Sequence, residues 1–283
     1  MTTLFVEQLT VIDFSYFDPD RGIVGESWIL DVELDGSLDD NGMVFDFTHV
    51  KKQIKQYVDQ LIDHKFVVAN HYKNLKTQLE SDQLTLELHT NNKDYYCHKS
   101  PVQAVTFVPA ETISIETVLP FLQDSIKSIL PANVHDLRIR LKEESIEGAF
   151  YHYSHGLKKH FGDCQRIAHG HRSKIIVHRN NKRDESLEQK IAEKWRDIYL
   201  ITEGDITSRQ NLNEKPYVTL GYSANQGSFE LTLPENVCDT LETDSTVELI
   251  AEHLAQKLKQ ENPTDTFSVR AFEGVKKGAI AKA

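Results

Sequence analysis

Cysteine is scarce in this chain. The three that occur in 283 residues, Cys97, Cys164 and Cys238, lie far apart and form no CxxC pair. That excludes a disulfide framework and a thiolate zinc cluster. Long apolar runs are missing too: stretches such as Ala104–Ala110 fall well short of the roughly 18 residues a membrane span needs. The first residues carry no basic segment leading into an apolar one, as a secretory leader does. The expected location is cytoplasmic, with no membrane partner. Bases are outnumbered, with 32 Lys and Arg against 43 Asp and Glu for a net charge of −11. A sequence-independent nucleic-acid binder needs a broad basic surface, so no nucleic-acid partner is expected. What remains is a globular composition, 39% hydrophobic and 27% charged, long enough for two domains that each bury a core without staples.

The bases are unevenly spread. Between Gly156 and Arg183, the bases Lys158, Lys159, Arg166, Arg172, Lys174, Arg179, Lys182 and Arg183 face Asp163 as the only acid. This segment is either a solvated basic loop or the place where the chain attracts an anion.

Periodicity predicts strands at Leu4–Phe14 and Ser27–Leu34, then a turn at Asn41-Gly42. Thr48 is expected to cap a helix bearing Val50, Ile54, Tyr57, Val58 and Leu61 and ending near Asp63-His64. Residues 70–101 read as an elaborated connection with one strand at Leu84–Leu88. A helix over Ser114–Leu130 and a strand over Asp136–Lys142, closed by Glu143, complete the first half. The second half repeats the grammar with strands at Ala149–His155 and His169–His178, then a helix at Glu185–Trp195. Strands at Pro216–Ser223 and Ser228–Leu233, a helix at Thr246–Lys259 and a strand at Phe267–Phe272 follow. The expected order in each half is strand, strand, helix, helix, strand. Ser114-Ile115-Glu116 opens one helix and Thr246-Val247-Glu248 another, with Glu143 and Glu273 ending the strands that follow. These matches imply a tandem duplication with its boundary near residues 145–150.

Chemistry concentrates in the second half. In His169-Gly170-His171 a strand period of two puts both imidazoles on one face. His155 supplies a third nitrogen if its strand is a neighbour. Three histidines with an open fourth position describe a catalytic zinc; the same residues also read as surface histidines of a basic segment. Cys164 stands among bases, which favours a thiolate able to abstract a proton, although a lone cysteine is more often a small buried hydrophobe. Asp63-His64 pairs a carboxylate with an imidazole at a helix end, a candidate proton relay.

Together these residues resemble the 6-pyruvoyl-tetrahydropterin and 6-carboxytetrahydropterin synthase family. Its sequences run from a first zinc histidine through a catalytic cysteine to an HGH pair. A "GMVxDF" turn into a helix, "DH", a "T-S-E" helix start and a strand-ending glutamate follow. His155, Cys164, His169, Gly170, His171, Thr246-Val247-Glu248 and Glu273 carry the outer parts in the second half, which lacks the middle. Gly42-Met43-Val44-Phe45-Asp46-Phe47, Asp63-His64-Lys65, Ser114-Ile115-Glu116 and Glu143 carry the middle and end in the first half. There Val24-Gly25-Glu26 stands in place of HGH, and Asp13 falls near the place of the first histidine.

The resemblance implies an α+β architecture of two tandem tunnelling-fold (T-fold) domains, 1–147 and 148–283, each an antiparallel sheet with two helices on one face. The first lacks zinc ligands and carries the Asp-His pair; the second carries the zinc site and Cys164. It implies one composite site: zinc (Zn2+) on His155, His169 and His171, catalysis by Cys164, Asp63 and His64, and pterin binding by Glu273, Glu248 and Thr246. The implied substrate is 7,8-dihydroneopterin triphosphate, converted with loss of triphosphate to a 6-carboxy product of the deazapurine route or to a 6-pyruvoyl product. A homo-oligomer is expected. The competing expectations are a pterin- or purine-binding protein without turnover, and another enzyme on the same fold, such as a cyclohydrolase or reductase.

Overall fold

A computed structural model describes residues 2–38, 42 and 47–283. Asn41 and the stretch Met43 to Asp46 of the GMVFDF motif lie outside the described residues, as does the side chain of Phe47. The first half runs β1 (Thr2–Asp18), β2 (Gly22–Gly36), α1 (Phe47–Leu61), β3 (Phe66–Ala69), β4 (Leu75–Glu80), β5 (Gln83–His89), β6 (Tyr95–Pro101), β7 (Val105–Val108), α2 (Ile115–Lys127) and β8 (Val134–Glu143). The second runs β9 (Phe150–His155), β10 (His169–Arg179), β11 (Lys182–Arg183), α3 (Glu185–Lys194), β12 (Ile198–Thr202), β13 (Ile206–Leu212), β14 (Lys215–Ala224), β15 (Gly227–Pro234), β16 (Cys238–Leu241), α4 (Val247–Glu261), β17 (Phe267–Phe272) and β18 (Gly278–Lys282).

Three sheets result. The first has the order β7-β3-β1-β2-β8; the second has β16-β12-β9-β10-β17-β18, with β11 beside β10. Each is antiparallel at its centre and gains two parallel strands at one edge. On α1, Val50, Ile54 and Val58 recur every four residues and are all buried, one apolar stripe against the first sheet. Ser114 caps α2 through Thr117 in a reciprocal capping box, and Thr246 caps α4 by accepting from the Leu249 N–H. The architecture is α+β, two tandem T-fold units with two helices each. Because α1 begins at Phe47, Thr48 sits inside its first turn and not at the cap.

The third sheet, β13-β14-β15-β6-β5-β4, corrects the expected element order. Residues 70–101 hold three strands and not one, and 206–234 hold their counterparts. Each half is therefore strand, strand, helix, strand, a three-strand arm, strand, helix and strand, to which the second half adds β11 and β18. The arms pair with each other, with His98 opposite Leu231. Leu84, Leu86 and Leu88 of one arm and Leu231 and Leu233 of the other join the first core. Each arm alone would leave β6 or β15 as an open edge and an uncovered apolar face; joined, they form one six-stranded sheet.

The register relates the halves residue by residue. Ser15 lies opposite Gly25 and Phe66, and Ser154 opposite Gly170 and Tyr199. Counting from these pairs, Tyr16 corresponds to His155, Val24 to His169, Glu26 to His171, Asp13 to His152 and Asp197 to His64. His64 and Asp197 share a left-handed backbone, each with φ of 53°. An element that meets its own counterpart marks a local two-fold, and this occurs twice: at β6 against β15, and where the Ser15 and Ser154 hydroxyls meet.

Candidate active site

The two central hairpins cross where neither has a side chain. A Cβ built on Gly170 would come within 2.3 Å of the Tyr153 carbonyl oxygen and 2.7 Å of Gly25 Cα. Only glycine admits this approach, which carries β1 and β2 to the buried start of β10.

There the pairing of His155 with His169 and of Tyr153 with His171 collects the three histidines. All are at most 1% exposed, and one ligand atom from each lies within 4.8 Å of the others. His155 Nδ1 is held by the carbonyl and hydroxyl of Ser245, both at 3.0 Å. His169 Nδ1 is held by the Arg166 carbonyl at 2.8 Å. Both interactions leave Nε2 for a ligand, the arrangement by which neighbouring groups orient metal-binding imidazoles. His155 Nε2 and both ring nitrogens of His171 are buried without a hydrogen bond. Burial, reinforced by the neighbouring imidazoles, holds His155 and His169 well below the ordinary histidine range, so both are neutral. Orphaned buried imidazole nitrogens fit a metal ion.

The first half brings Asp63 and His64 to the same place. His64 donates its backbone N–H to the Asp13 carbonyl at 2.6 Å, and Asp63 Oδ1 accepts the Asp13 N–H at 2.8 Å. Asp63 Oδ2 lies 2.6 Å from His64 Nδ1. One ligand atom each of His64, Cys164 and His169 lies within 4.8 Å of the others. Burial opposes charge on His64, but hydrogen bonds with Asp63 and Cys164 outweigh it and push the imidazole up to about 11. The dyad and the cysteine thus meet within one chain, across the two halves.

Glu273 stands beside the histidines, its Oε1 4.0 Å from His171 Nε2 and its Oε2 3.6 Å from Lys277 Nζ. Thr246 uses its hydroxyl for the α4 cap, and Glu248 is exposed in the first turn. Among the described residues, no hydrogen bond joins either one to Glu273 or to the three histidines. Their neighbour Ser245 is what touches His155.

The basic segment proves largely neutralised. Lys158, Lys159, Lys174 and Arg179 pair with Asp205, Asp244, Glu144 and Asp265; Arg166, Arg172 and Arg183 pair with Asp163, Glu143 and Glu188. The expected unpaired anion site is therefore corrected, because most of these acids come from distant parts of the chain. Near the dyad, burial and then the charge of Arg166 push Lys65 down to about 8.

The arm sheet supports the Cys164 loop. Tyr222 donates to the Gln165 carbonyl at 2.9 Å, and Gln226 bridges Asp163 and Arg166 at 2.6 and 3.1 Å. These residues, with Ser245 and Asp13, are missing from the residues proposed on sequence grounds. Arg166, two residues after Cys164, and Asp13, near the place of a first histidine, were the local signals.

The equivalent place in the first half has been rebuilt. Tyr16, and not Asp13, holds the position of the first histidine, as the register requires. Arg21 Nε donates to Asp197 at 2.9 Å, and Arg21 also donates to the Tyr16 hydroxyl at 3.0 Å. Glu26, 3% exposed, lies 3.8 Å from His152 Nδ1. Among the described residues, no metal-binding group forms there.

A family model described as 6-pyruvoyl tetrahydropterin synthase matches residues 11–153 and again 149–283. Two proteins provisionally named 6-carboxy-5,6,7,8-tetrahydropterin synthase are similar over 133 residues, 47% of this chain and 76% of theirs. Identity is 23% for that of Pyrococcus abyssi and 22% for that of Pyrococcus horikoshii. Among solved structures, the 6-pyruvoyl tetrahydropterin synthase of Plasmodium vivax is 18% identical. The match covers 52% of this chain and 93% of that one, with a TM-score of 0.42. The Plasmodium falciparum enzyme gives 16% identity, 50% and 90% coverage, and a TM-score of 0.41.

Proposed function

Because the chain belongs to the 6-pyruvoyl tetrahydropterin synthase family, matched by each half in turn, we propose that it is a zinc-dependent synthase. Its substrate is 7,8-dihydroneopterin triphosphate, which loses triphosphate at one site shared by domains 1–147 and 148–283. The observation that carries this reading is the meeting of His64 from one half with Cys164 and His169 from the other within 4.8 Å.

His155, His169 and His171 hold the zinc, which supplies Lewis acidity toward the hydroxyls of the substrate side chain. Cys164 takes the proton from the carbon next to those hydroxyls. His64, held by Asp63, exchanges protons with Cys164. Glu273 accepts two hydrogen bonds from the guanidine-like edge of the pterin. Lys65, beside the dyad, is the cation for the triphosphate. The proposed product is the 6-carboxy tetrahydropterin named for the Pyrococcus relatives: water enters, triphosphate leaves, and the bond to the outer two side-chain carbons breaks to release them as acetaldehyde; the working state is a homo-oligomer.

A binding protein without turnover is the alternative. Separation of Cys164 from His64 would have favoured it, and a ligand atom of each lies within 4.8 Å of the other. The test is purified chain with one equivalent of zinc and 7,8-dihydroneopterin triphosphate, read by product mass and free triphosphate. A 6-carboxy product with triphosphate release is expected, and a 6-pyruvoyl product moves the chain to the other branch. Intact substrate in the presence of bound zinc overturns the synthase reading.

A further inference from the structure

Asp13 takes no part in the chemistry above, yet it touches the Asp63-His64 dyad, His171 and Lys277. It is 2% exposed and lies in β1, in the first half. Its backbone holds both members of the Asp63-His64 dyad. Its carboxylate points the other way, into the second half. Oδ1 lies 3.2 Å from His171 Nδ1, close but short of hydrogen-bond alignment. Oδ2 lies 3.1 Å from Lys277 Nζ, which also neighbours Glu273. The Ser27 hydroxyl donates to Oδ1 at 2.5 Å and fixes the carboxylate from its own half.

The three histidines differ in what supports them. His155 and His169 find acceptors for Nδ1 within the second half, at Ser245 and Arg166. Among the described residues His171 has none there, and the oxygen 3.2 Å from its Nδ1, Asp13 Oδ1, belongs to the first half. We propose that Asp13 is a positioning residue that keeps His171 in the Nδ1–H tautomer and aims its Nε2 at the metal, so that one half sets the metal affinity of the other. A carboxylate behind a ligating imidazole fixes the ring and raises its basicity. The rebuilt place in the first half contains the same pair with its members exchanged, His152 beside Glu26 at 3.8 Å, where no metal-binding group exists among the described residues.

This inference rests on the metal reading of the three histidines, and its test reads metal affinity, independent of turnover. Zinc binding to the full-length wild type, Asp13→Asn, Asp13→Glu and His152→Ala is measured by competition with a chromogenic chelator, with apo-protein thermal midpoints alongside. Asp13→Asn is expected to weaken zinc about 10–100-fold with an apo midpoint near the wild type. Asp13→Glu is expected to recover part of the loss, and His152→Ala to leave affinity unchanged. Equal affinity in wild type and Asp13→Asn overturns the proposal; no zinc binding in the wild type overturns it together with the metal reading. Tight zinc without turnover defeats the synthase reading alone. Should Asp13→Asn fail to fold, nitrogen NMR of the wild-type zinc form decides: His171 bound through Nε2 with a proton on Nδ1 supports the proposal, and His171 bound through Nδ1 overturns it.

Discussion

Ser15 Oγ lies 2.7 Å from Ser154 Oγ, a buried hydrogen bond between two residues 139 apart in the chain. The two occupy equivalent places in their halves, so the contact sits on the local two-fold. On one side of it lie His155, His169 and His171; on the other lie Tyr16, Val24 and Glu26. The fold is duplicated, while the group of three histidines is present once among the described residues.

Turnover should require both halves of a single chain. Cys164→Ala and His64→Ala are each expected to lower triphosphate release by about 10²–10⁴-fold, the range of a lost general acid or base. A mixture of the two variants should stay inactive, since the dyad and the cysteine meet within one chain. Recovery in the mixture, after subunit exchange has been verified, would point to sites formed between chains.

Zinc should stabilise the folded chain. At free zinc 100 times the dissociation constant, unfolding is expected to cost about 2.7 kcal/mol more than in chelator. His155→Ala should remove this difference, which urea titrations with and without chelator would measure. A wild type indifferent to zinc would contradict the assignment of the three histidines.

Gly170 serves the crossing of the hairpins as well as the HGH spacing. Gly170→Ala would press a methyl group on the Tyr153 carbonyl and Gly25 Cα, backbone atoms that cannot turn aside. Overpacking of this kind costs about 1–3 kcal/mol. Gly25→Ala, which meets the Tyr153 carbonyl oxygen at 1.9 Å, should destabilise similarly although it lies outside the metal motif. Both follow from chemical denaturation.

The rebuilt place predicts a pH dependence of stability. Burial, with Glu143 adding and the Ser27 N–H, Arg172 and Arg21 opposing, pushes Glu26 up to about 8 from its ordinary 4.5. Between these values the folded chain holds a proton that the unfolded chain releases. The Glu26 contribution is therefore fully present below pH 4.5 and declines as pH rises toward about 8. At about 1.4 kcal/mol per pH unit, the loss amounts to a few kcal/mol. Glu26→Gln should flatten the curve between about pH 5 and 8, and an unchanged slope of urea midpoint against pH would exclude Glu26 as its source.

Much of this was legible in the sequence, and the residues show why the rest was not. The HGH pair, the Asp-His dipeptide and the Ser114 and Thr246 helix starts are local signals, readable from a few neighbours. The arms are not: β5 alternates as a strand should, but its sheet depends on His98 pairing with Leu231, and no local pattern names so distant a partner. The basic segment misled for the same reason, because its neutralising acids lie mostly far along the chain. Asp13 was visible as a residue near a histidine position; its contact with His171 required the crossing of two hairpins.

The joining of β6 to β15 also changes how the molecule can vary. When a site is shared by identical subunits, every substitution appears on both faces of every contact, so a change useful at one face must be tolerable at the other. Here the facing surfaces are separate stretches of one chain. An arginine at position 21 can fasten one face while a cysteine stands at 164 on the other, and neither choice is imposed on its counterpart.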